Sequence, residues 1–530
     1  MQSGHMIKRR SYLTCAIMLA LGIGVVPDPV VADTFHFTLK AYRITGPALL
    51  SPRTTERLLK PYTGRNQSIG IIESARAALQ KAYRNAGYSA VAVVLPPQKL
   101  NSGVVVLHIV APRLEGITVH GGPYYNRGNV LASLPALQLG KIPNERDINE
   151  NLTMANTNPS KHTVVRLSKG QRKGTIAAHV SVQGQVPWHA FMTLDNTGDP
   201  ETGRLLLSAG LQYANIANRD QVLTLQYTTS PNHFGKMDAY GLGYHVPIYR
   251  WNGSFNVFGG YSNINAGTID QVFDITGKGI FLGFNYNQYL LRTAHYQQVL
   301  TFGFDYTAFR NNITYEGVPI GNNVTIHPVS VSYYNRFING NNALSGKVAL
   351  VQNIPWGANG DLLAFQKNRA GAVASYHLVR IRLTYSHFFT GNWELQAKAS
   401  GQYSPDALIS GAQFGLGGLH STRGFFQRQY TGDSGAEGVL AFYTPNFGRT
   451  LGLPDTLVRA LTFYDNGWAW LQDPQPGDTA YLHIASVGVG LNMLVASHLL
   501  LRIDYAHILN SGSLGPYTSN QVQGSLALAF

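Results

Sequence analysis

From about residue 187 to its last residue, the chain is a run of short segments in which apolar and polar residues alternate, and this pattern decides most of what it can become. Successive side chains of a strand point to opposite faces. Candidate strands lie near 187–196, 203–214, 220–230, 236–248, 252–262, 277–288, 295–308, 325–337, 342–352, 376–388, 393–404, 437–446, 457–466, 483–493, 498–507 and 520–530. They number about sixteen, an even count of the kind bacterial single-chain barrels use. Each is long enough for a tilted bilayer crossing of about 9–11 residues. In the segment 376–388, Val379, Ile381, Leu383 and Tyr385 share one face, and Arg380, Arg382, Thr384 and Ser386 share the other. In the last segment Val522, Leu526, Leu528 and Phe530 oppose Gln521, Gln523 and Ser525. A soluble sandwich alternates too, but it buries its apolar face. So many strands with one wet face must close on themselves, because an open edge in lipid leaves backbone groups unpaired. The fold class expected is mainly β, an antiparallel transmembrane barrel of about sixteen strands. Its final residue, Phe530, is the aromatic ending common in bacterial outer-membrane barrels.

Composition narrows the function. Charged residues are 13% of the chain, against roughly 25% in a soluble domain. The net charge is +14, but beyond the N-terminus the basic residues are scattered without a Lys/Arg run. A nucleic-acid partner is therefore not expected, whereas outer-membrane lipid, anionic lipopolysaccharide or a polypeptide in transit is. Gly-x-Ser-x-Gly, His-Glu-x-x-His and Walker patterns do not occur, and the 17 histidines lack ligand spacing. The reading is a protein that is not an enzyme and needs no cofactor or metal.

Residues 1–32 read as a signal peptide. Lys8, Arg9 and Arg10 form a basic start, Leu13 to Val26 an apolar stretch, and Val30-Val31-Ala32 offers small residues for cleavage before Asp33. The only cysteine, Cys15, lies inside it, so the mature chain is expected to lack disulfides, thiolate metal sites and cysteine nucleophiles.

Between the signal and the barrel, one order of elements occurs twice, in 33–111 and in 112–184, with the barrel assigned to 185–530. The first copy has a strand over Phe35 to Ile44 and a short helix opened by Ser51-Pro52. A helix over Ile69 to Asn85 follows, with Ile72, Ala75, Leu79 and Tyr83 along one stripe. Gly87 stands at its C′ position, and strands follow over Ala90 to Leu95 and Val104 to Val110. The second copy has a strand over Leu114 to His120 and a short helix near Arg127 to Leu134. A helix capped by Asn144 carries Ile148, Leu152 and Ala155 on its apolar face. Strands over Val164 to Leu167 and Thr175 to Gln183 close it.

A long connection, about 405–436, joins the eleventh and twelfth candidate strands and contains Gly415-Leu416-Gly417-Gly418-Leu419-His420-Ser421-Thr422-Arg423-Gly424-Phe425-Phe426. On composition alone it is a Gly-rich loop with one cation and two aromatics. Thr422-Arg423-Gly424-Phe425 resembles the V-R-G-[FY] loop of the outer-membrane assembly and secretion superfamily that carries POTRA domains, with Thr422 in place of the usual Val. Phe463-Tyr464-Asp465-Asn466-Gly467 resembles its F-x-D-x-G inner-wall motif. The resemblance implies that the loop folds into the lumen with Arg423, Gly424 and Phe425 as its motif, and that Arg423 pairs with Asp465 between Phe463 and Gly467 on the inner wall. The two modules resemble POTRA domains. The stretch from Gly87-Tyr88 through Leu95-Pro96-Pro97-Gln98 is similar to the first POTRA of two-partner secretion transporters, the haemolysin secretion/activation family.

The resemblance implies an outer-membrane pore with its POTRA domains in the periplasm. These recognise an unfolded exoprotein of the adhesin, cytolysin or contact-dependent toxin class, which is secreted without ATP. The alternative within the superfamily is an assembly insertase, disfavoured by two modules instead of three or five. Some relatives place a plug helix before the first POTRA. Here the first module starts within a few residues of the expected cleavage site, so the 405–436 loop is the expected obstruction.

Overall fold

A computed structural model describes residues 36–530 apart from 101, 199–202, 235–236, 264–266, 270–272, 276–277, 294, 311–313, 316–317, 320–321 and 513–518. The expected signal segment lies outside the described residues.

The first module has a three-stranded sheet. Strand β1 (Ala41–Thr45) pairs in parallel with β3 (Val104–Val110), and β2 (Ala92–Val94) pairs antiparallel on its other side. The expected strand over Phe35 to Ile44 is broken. Phe37–Leu39 leaves it to pair with Gly64–Gln67, and Lys40 instead donates its N–H to the Gly103 carbonyl at 2.7 Å. Helix α1 (Pro52–Leu59) starts where Ser51 accepts from the Thr54 N–H at 3.2 Å. Helix α2 (Ile69–Asn85) buries Ile72, Ala75, Leu79 and Tyr83, and Val93 of β2 and Val105, Leu107 and Ile109 of β3 are buried as well. Burial of each large apolar side chain there contributes about 1.5–3 kcal/mol. The Leu-Pro-Pro-Gln stretch has a concrete use. Pro96 and Pro97 cannot donate to a ladder, and the Gln98 amide pairs instead with both main-chain groups of Val106, at 2.7 and 2.8 Å.

The second module repeats the arrangement. Strands β4 (Arg113–His120), β5 (Lys161–Lys169) and β6 (Thr175–Gly184) form a sheet with β6 in the centre. Helices α3 (Arg127–Ala132) and α4 (Glu145–Ala155) are capped by Asn126 and Asn144. Their core holds Leu114, Val130, Leu134, Ile148, Ile176 and Val180.

From β6 the chain runs directly into a closed antiparallel barrel. Its strands are β7 (Trp188–Asp195), β8 (Leu206–Ile216), β9 (Gln221–Thr229), β10 (Asp238–Ile248), β11 (Gly253–Ser262), β12 (Gly279–Arg292), β13 (Tyr296–Phe309) and β14 (Val324–Ile326 with Pro328–Asn339). They continue as β15 (Asn342–Asn353), β16 (His377–Phe388), β17 (Glu394–Tyr403), β18 (Ser434–Tyr443), β19 (Thr456–Trp470), β20 (Tyr481–Val495), β21 (Leu499–Ser511) and β22 (Asn520–Ala529). All sixteen expected strands are present, one for one. The largest displacement is β18, expected at 437–446. The apolar face points outward: on β16, Ile381, Leu383 and Tyr385 are 44%, 46% and 37% exposed. Strand β22 closes onto β7 through only five residue pairs, Ser525↔Asp195 to Ala529↔Phe191. By contrast β19 and β20 pair over their whole lengths.

Candidate functional site: a loop anchored inside the barrel

The connection between β17 and β18 turns inward. Phe414–Leu416 and Tyr430–Gly432 pair as a short hairpin, and the residues between form its tip. The sharp path relies on glycine: Gly417, Gly418 and Gly424 have φ of +103°, +113° and +93°. At Gly424 close approach matters as well, since a Cβ would lie 3.2 Å from Ala506 Cβ on β21.

Arg423 and Asp465 are 2% and 0% exposed. The Arg423 guanidinium donates from Nε to Asp465 Oδ2 and from Nη2 to Oδ1, both at 2.7 Å, and the Arg423 N–H adds a third bond at 3.0 Å. This two-pronged geometry is the strongest a guanidinium and a carboxylate can adopt. The Phe463 ring lies under the guanidinium, 3.4 Å from its carbon, and that ring sits where a side chain at Gly488 would be. Gly467 makes room for the tip, because a Cβ there would meet Leu416 and Thr422 at 2.8 and 3.0 Å. Phe425 is buried with Leu416, Tyr430, Leu482 and Ile484, edge-on to the Tyr430 ring.

Three partners of the tip had no motif to mark them. Asp504 on β21 stands 3.7 Å from Arg423 Nη1 and pairs with Arg502. Gln523 on β22 accepts from the Gly424 N–H at 3.0 Å and donates to the Phe425 carbonyl at 2.7 Å. Ser421 donates to Glu437 on β18. The tip is thus fastened to β18, β19, β21 and β22. The replacement of Val by Thr422 leaves its buried hydroxyl oxygen without a hydrogen-bond partner.

Towards the far end of the barrel a second buried pair ties the connections together. Asp433 accepts from Arg369 at 2.5 and 2.9 Å, from the N–H groups of Leu408 and Gln472, and from Gln413. Arg369 follows a short helix, α5 (Leu362–Asn368), whose Phe365 packs with Tyr376, Leu408 and Ile409.

At the opposite end a third buried pair holds the second module to the barrel. Lys161 on β5 pairs with Asp220 in the β8–β9 turn, with side-chain exposures of 0% and 1%. Asp220 also accepts from Asn129 of α3 at 2.9 Å and from the Tyr249 hydroxyl at 2.6 Å. Burial pushes the Lys161 ammonium below its ordinary pKa, opposed by the neighbouring Asp220 charge. Burial also raises the Tyr249 hydroxyl, helped by Asp220. Asn158 to the Ala214 carbonyl (2.6 Å) and Asn215 to the Tyr124 carbonyl (2.8 Å) complete the joint.

A closed sixteen-stranded barrel with an inward loop pinned by an Arg–Asp pair, preceded in the chain by α+β modules, defines an outer-membrane barrel of the POTRA-carrying assembly and secretion type. Residues 174–493 match the model of the haemolysin secretion/activation proteins ShlB/FhaC/HecB, and residues 37–111 match the ShlB-type POTRA domain. The chain belongs to this family, the transporters of two-partner secretion. It is 23% identical to the outer membrane transporter CdiB of Escherichia coli O6:K15:H31 (strain 536 / UPEC), over 86% of this chain and 76% of that one. It is 20% identical to the heme/hemopexin transporter protein HuxB of Haemophilus influenzae (strain ATCC 51907 / DSM 11121 / KW20 / Rd), over 86% and 80%. The fold is similar to that of CdiB from Escherichia coli, with a TM-score of 0.79 at 19% identity, covering 96% of this chain and 93% of the other.

Proposed function

We propose that the chain captures an unfolded exoprotein in the periplasm through the modules 33–111 and 112–184. It then passes the exoprotein through the barrel at 185–530 to the cell surface, without ATP. The relatives' transport of proteins such as haemolysin supports an exoprotein partner. Capture proceeds by strand addition at an open sheet edge, where main-chain hydrogen bonds supply affinity for an extended chain. Among the described residues β4 and β5 each have one unpaired edge in their sheet.

The observation that carries the reading is the loop tip fixed to Asp465 inside a closed barrel. A tip held by side chains, and not by continuous sheet, can be released and re-seated to admit a polypeptide. Arg423, Gly424 and Phe425 are the anchor of the loop; Phe463, Asp465 and Gly467 are its seat. In a cell expressing the chain with its exoprotein, Arg423→Ala cuts secretion while the barrel remains folded in the outer membrane, as judged by heat-dependent gel mobility. Wild-type secretion by that variant refutes the role of the anchor.

A further inference from the structure

The inner wall of the barrel has two chemically different sides. Strands β8, β9 and β11 contain no Lys, Arg, Asp or Glu, and β10 and β12 carry one charged residue each, at a strand end. Their inward positions are filled by groups such as Gln212, Thr224 and Asn256. On the other side, alternation turns Arg336 of β14, Lys347 of β15, Arg380 and Arg382 of β16 and Lys398 of β17 inward. Their flanking neighbours Phe337, Val348, Leu350, Ile381 and Leu383 are exposed to the outside.

Register makes these five cations one patch. Lys347 is directly opposite Arg382. Arg336 is opposite Ser345, one inward step from Lys347. Arg382 is opposite Ser400, one inward step from Lys398. Arg380 lies one inward step along β16 and donates to Gln402 at 2.8 Å. Lys398 reaches the electrostatic neighbourhood of Arg423 and Arg502, so the patch extends to the loop anchor.

Four carboxylates stand near these charges: Asp465 and Glu394, which already pair with Arg423 and Arg459, act on Lys398, and two more lie along the patch. Asp305 is the carboxylate near Lys347 and Arg380, and Glu437, already bonded to Ser400 and Ser421, is near Arg382. Among the described residues, Arg336, Lys347, Arg382 and Lys398 form no ion pair, whereas Arg423 and Arg502 beside the loop tip, and Arg459 on β19 with Glu394 of β17, all do. Like charges set directly opposite each other on one sheet face weaken the sheet. A wall that keeps them facing a water-filled passage is therefore tuned for something anionic. The patch faces the lumen and not the lipid, at mid-height beside the loop tip, where an extended chain would pass.

We propose that this patch is a docking strip for acidic stretches of the polypeptide in transit; the proposal rests on the translocation reading above. Weak, screened attraction of this kind favours entry and orientation without trapping the chain, because it falls off within about 10 Å at 0.1 M salt. The opposite wall, neutral and hydrogen-bonding, offers a passage with no charge preference.

The test uses the full-length protein in detergent and a poly-glutamate peptide labelled with an uncharged dye, with poly-lysine of equal length as the counterpart. Fluorescence anisotropy is expected to show binding of poly-glutamate that weakens with salt, and no comparable binding of poly-lysine. The combined variant Lys347→Gln, Arg382→Gln and Lys398→Gln is expected to bind poly-glutamate about tenfold more weakly. If heat-dependent mobility shows that variant unfolded, the single variants Lys347→Gln and Arg382→Gln replace it, each with a smaller loss. Equal binding of both peptides by the wild type overturns the proposal. So does undiminished poly-glutamate binding by folded variants, which would place the binding on another basic surface or on phosphate-recognising sites for lipopolysaccharide. Secretion by Arg423→Ala tests the translocation reading separately, so either can fail alone.

Discussion

The joint between the second module and the barrel invites a double-mutant cycle. Lys161 and Asp220 are both sealed from water. Replacing Asp220 by Asn keeps the shape but strands an ammonium whose other neighbours include Asn129, Ser133 and the Tyr125 ring at 5.3 Å. Breaking one side of a buried pair costs about 3–5 kcal/mol. Lys161→Met leaves Asp220 with its donors Asn129 and Tyr249, so its cost falls at the lower end, about 3 kcal/mol. The double variant removes both charges and restores a neutral joint, which in other proteins is near neutral or stabilising. The singles together therefore exceed the double by about 3 kcal/mol or more, a strong coupling for contacting residues. In populations, about 3 kcal/mol multiplies opening roughly 150-fold. Hydrogen exchange of the full-length protein in lipid nanodiscs reads this directly as lost protection along β5, with the barrel strand β19 as an internal reference. Additive single effects, with coupling below about 0.5 kcal/mol, would refute the reasoning. They would mean that the joint is held by Asn158, Asn215 and their backbone partners instead.

Other outcomes follow from the same structure. Thr422→Val removes a buried hydroxyl without a partner and should raise stability by about 1 kcal/mol, seen as a higher temperature for the heat-dependent mobility shift; a lower one contradicts the assignment. Glu115 accepts from the Thr175 hydroxyl at 2.6 Å and from the N–H groups of Gln171 and Arg172, and these hold its pKa down to about 2. Its folded value lies below its ordinary 4.5, so its contribution is present above 4.5 and is lost as the pH falls towards 2. In Glu115→Gln, hydrogen exchange in β4 and β6 should lose that part of its acid dependence. Deleting residues 408–431 removes the loop tip and should raise single-channel conductance in planar bilayers. An unchanged conductance in a folded barrel would assign the obstruction to the 354–376 connection that carries α5 and Arg369.

Legibility in the sequence followed the physical range of each interaction. Alternation marks a strand within its own residues, so the barrel strands could be read individually. It weakens where side chains are small. Ser434-Gly435-Ala436 has no apolar contrast, which is why β18 starts three residues before its expected position. Helix α2 was readable to the residue because its stripe and its terminal Gly87, with φ +93°, are both local. Charge partners are different. Arg423 and Asp465 lie 42 residues apart, and only a motif resemblance joined them. Asp504, Gln523, Asp433 and the pair Lys161–Asp220 carry no local mark. An inward polar residue on an alternating strand looks the same whether it meets water or a loop tip.

The short seam between β7 and β22 has a consequence for how the molecule comes into being. Gly524 donates to Asn196 at 2.8 Å across 328 residues of chain. Bringing such distant segments together while the chain between them is flexible would cost about 5 kcal/mol in chain entropy, against about 1 kcal/mol for a four-residue turn, so the seam does not form first. Every other barrel strand meets its partner through a connection shorter than the barrel itself, whereas these two can find each other only when the entire sheet has formed. Their return is five residue pairs, fewer than those of the hairpins beside them. During assembly both margins stay unpaired for the longest time, with main-chain groups ready to accept any extended segment. Closure is therefore the expected slow step in the protein's biogenesis, and variants at Asn196 or Gly524 should be found as kinetic defects in maturation before they are found as defects in the finished pore.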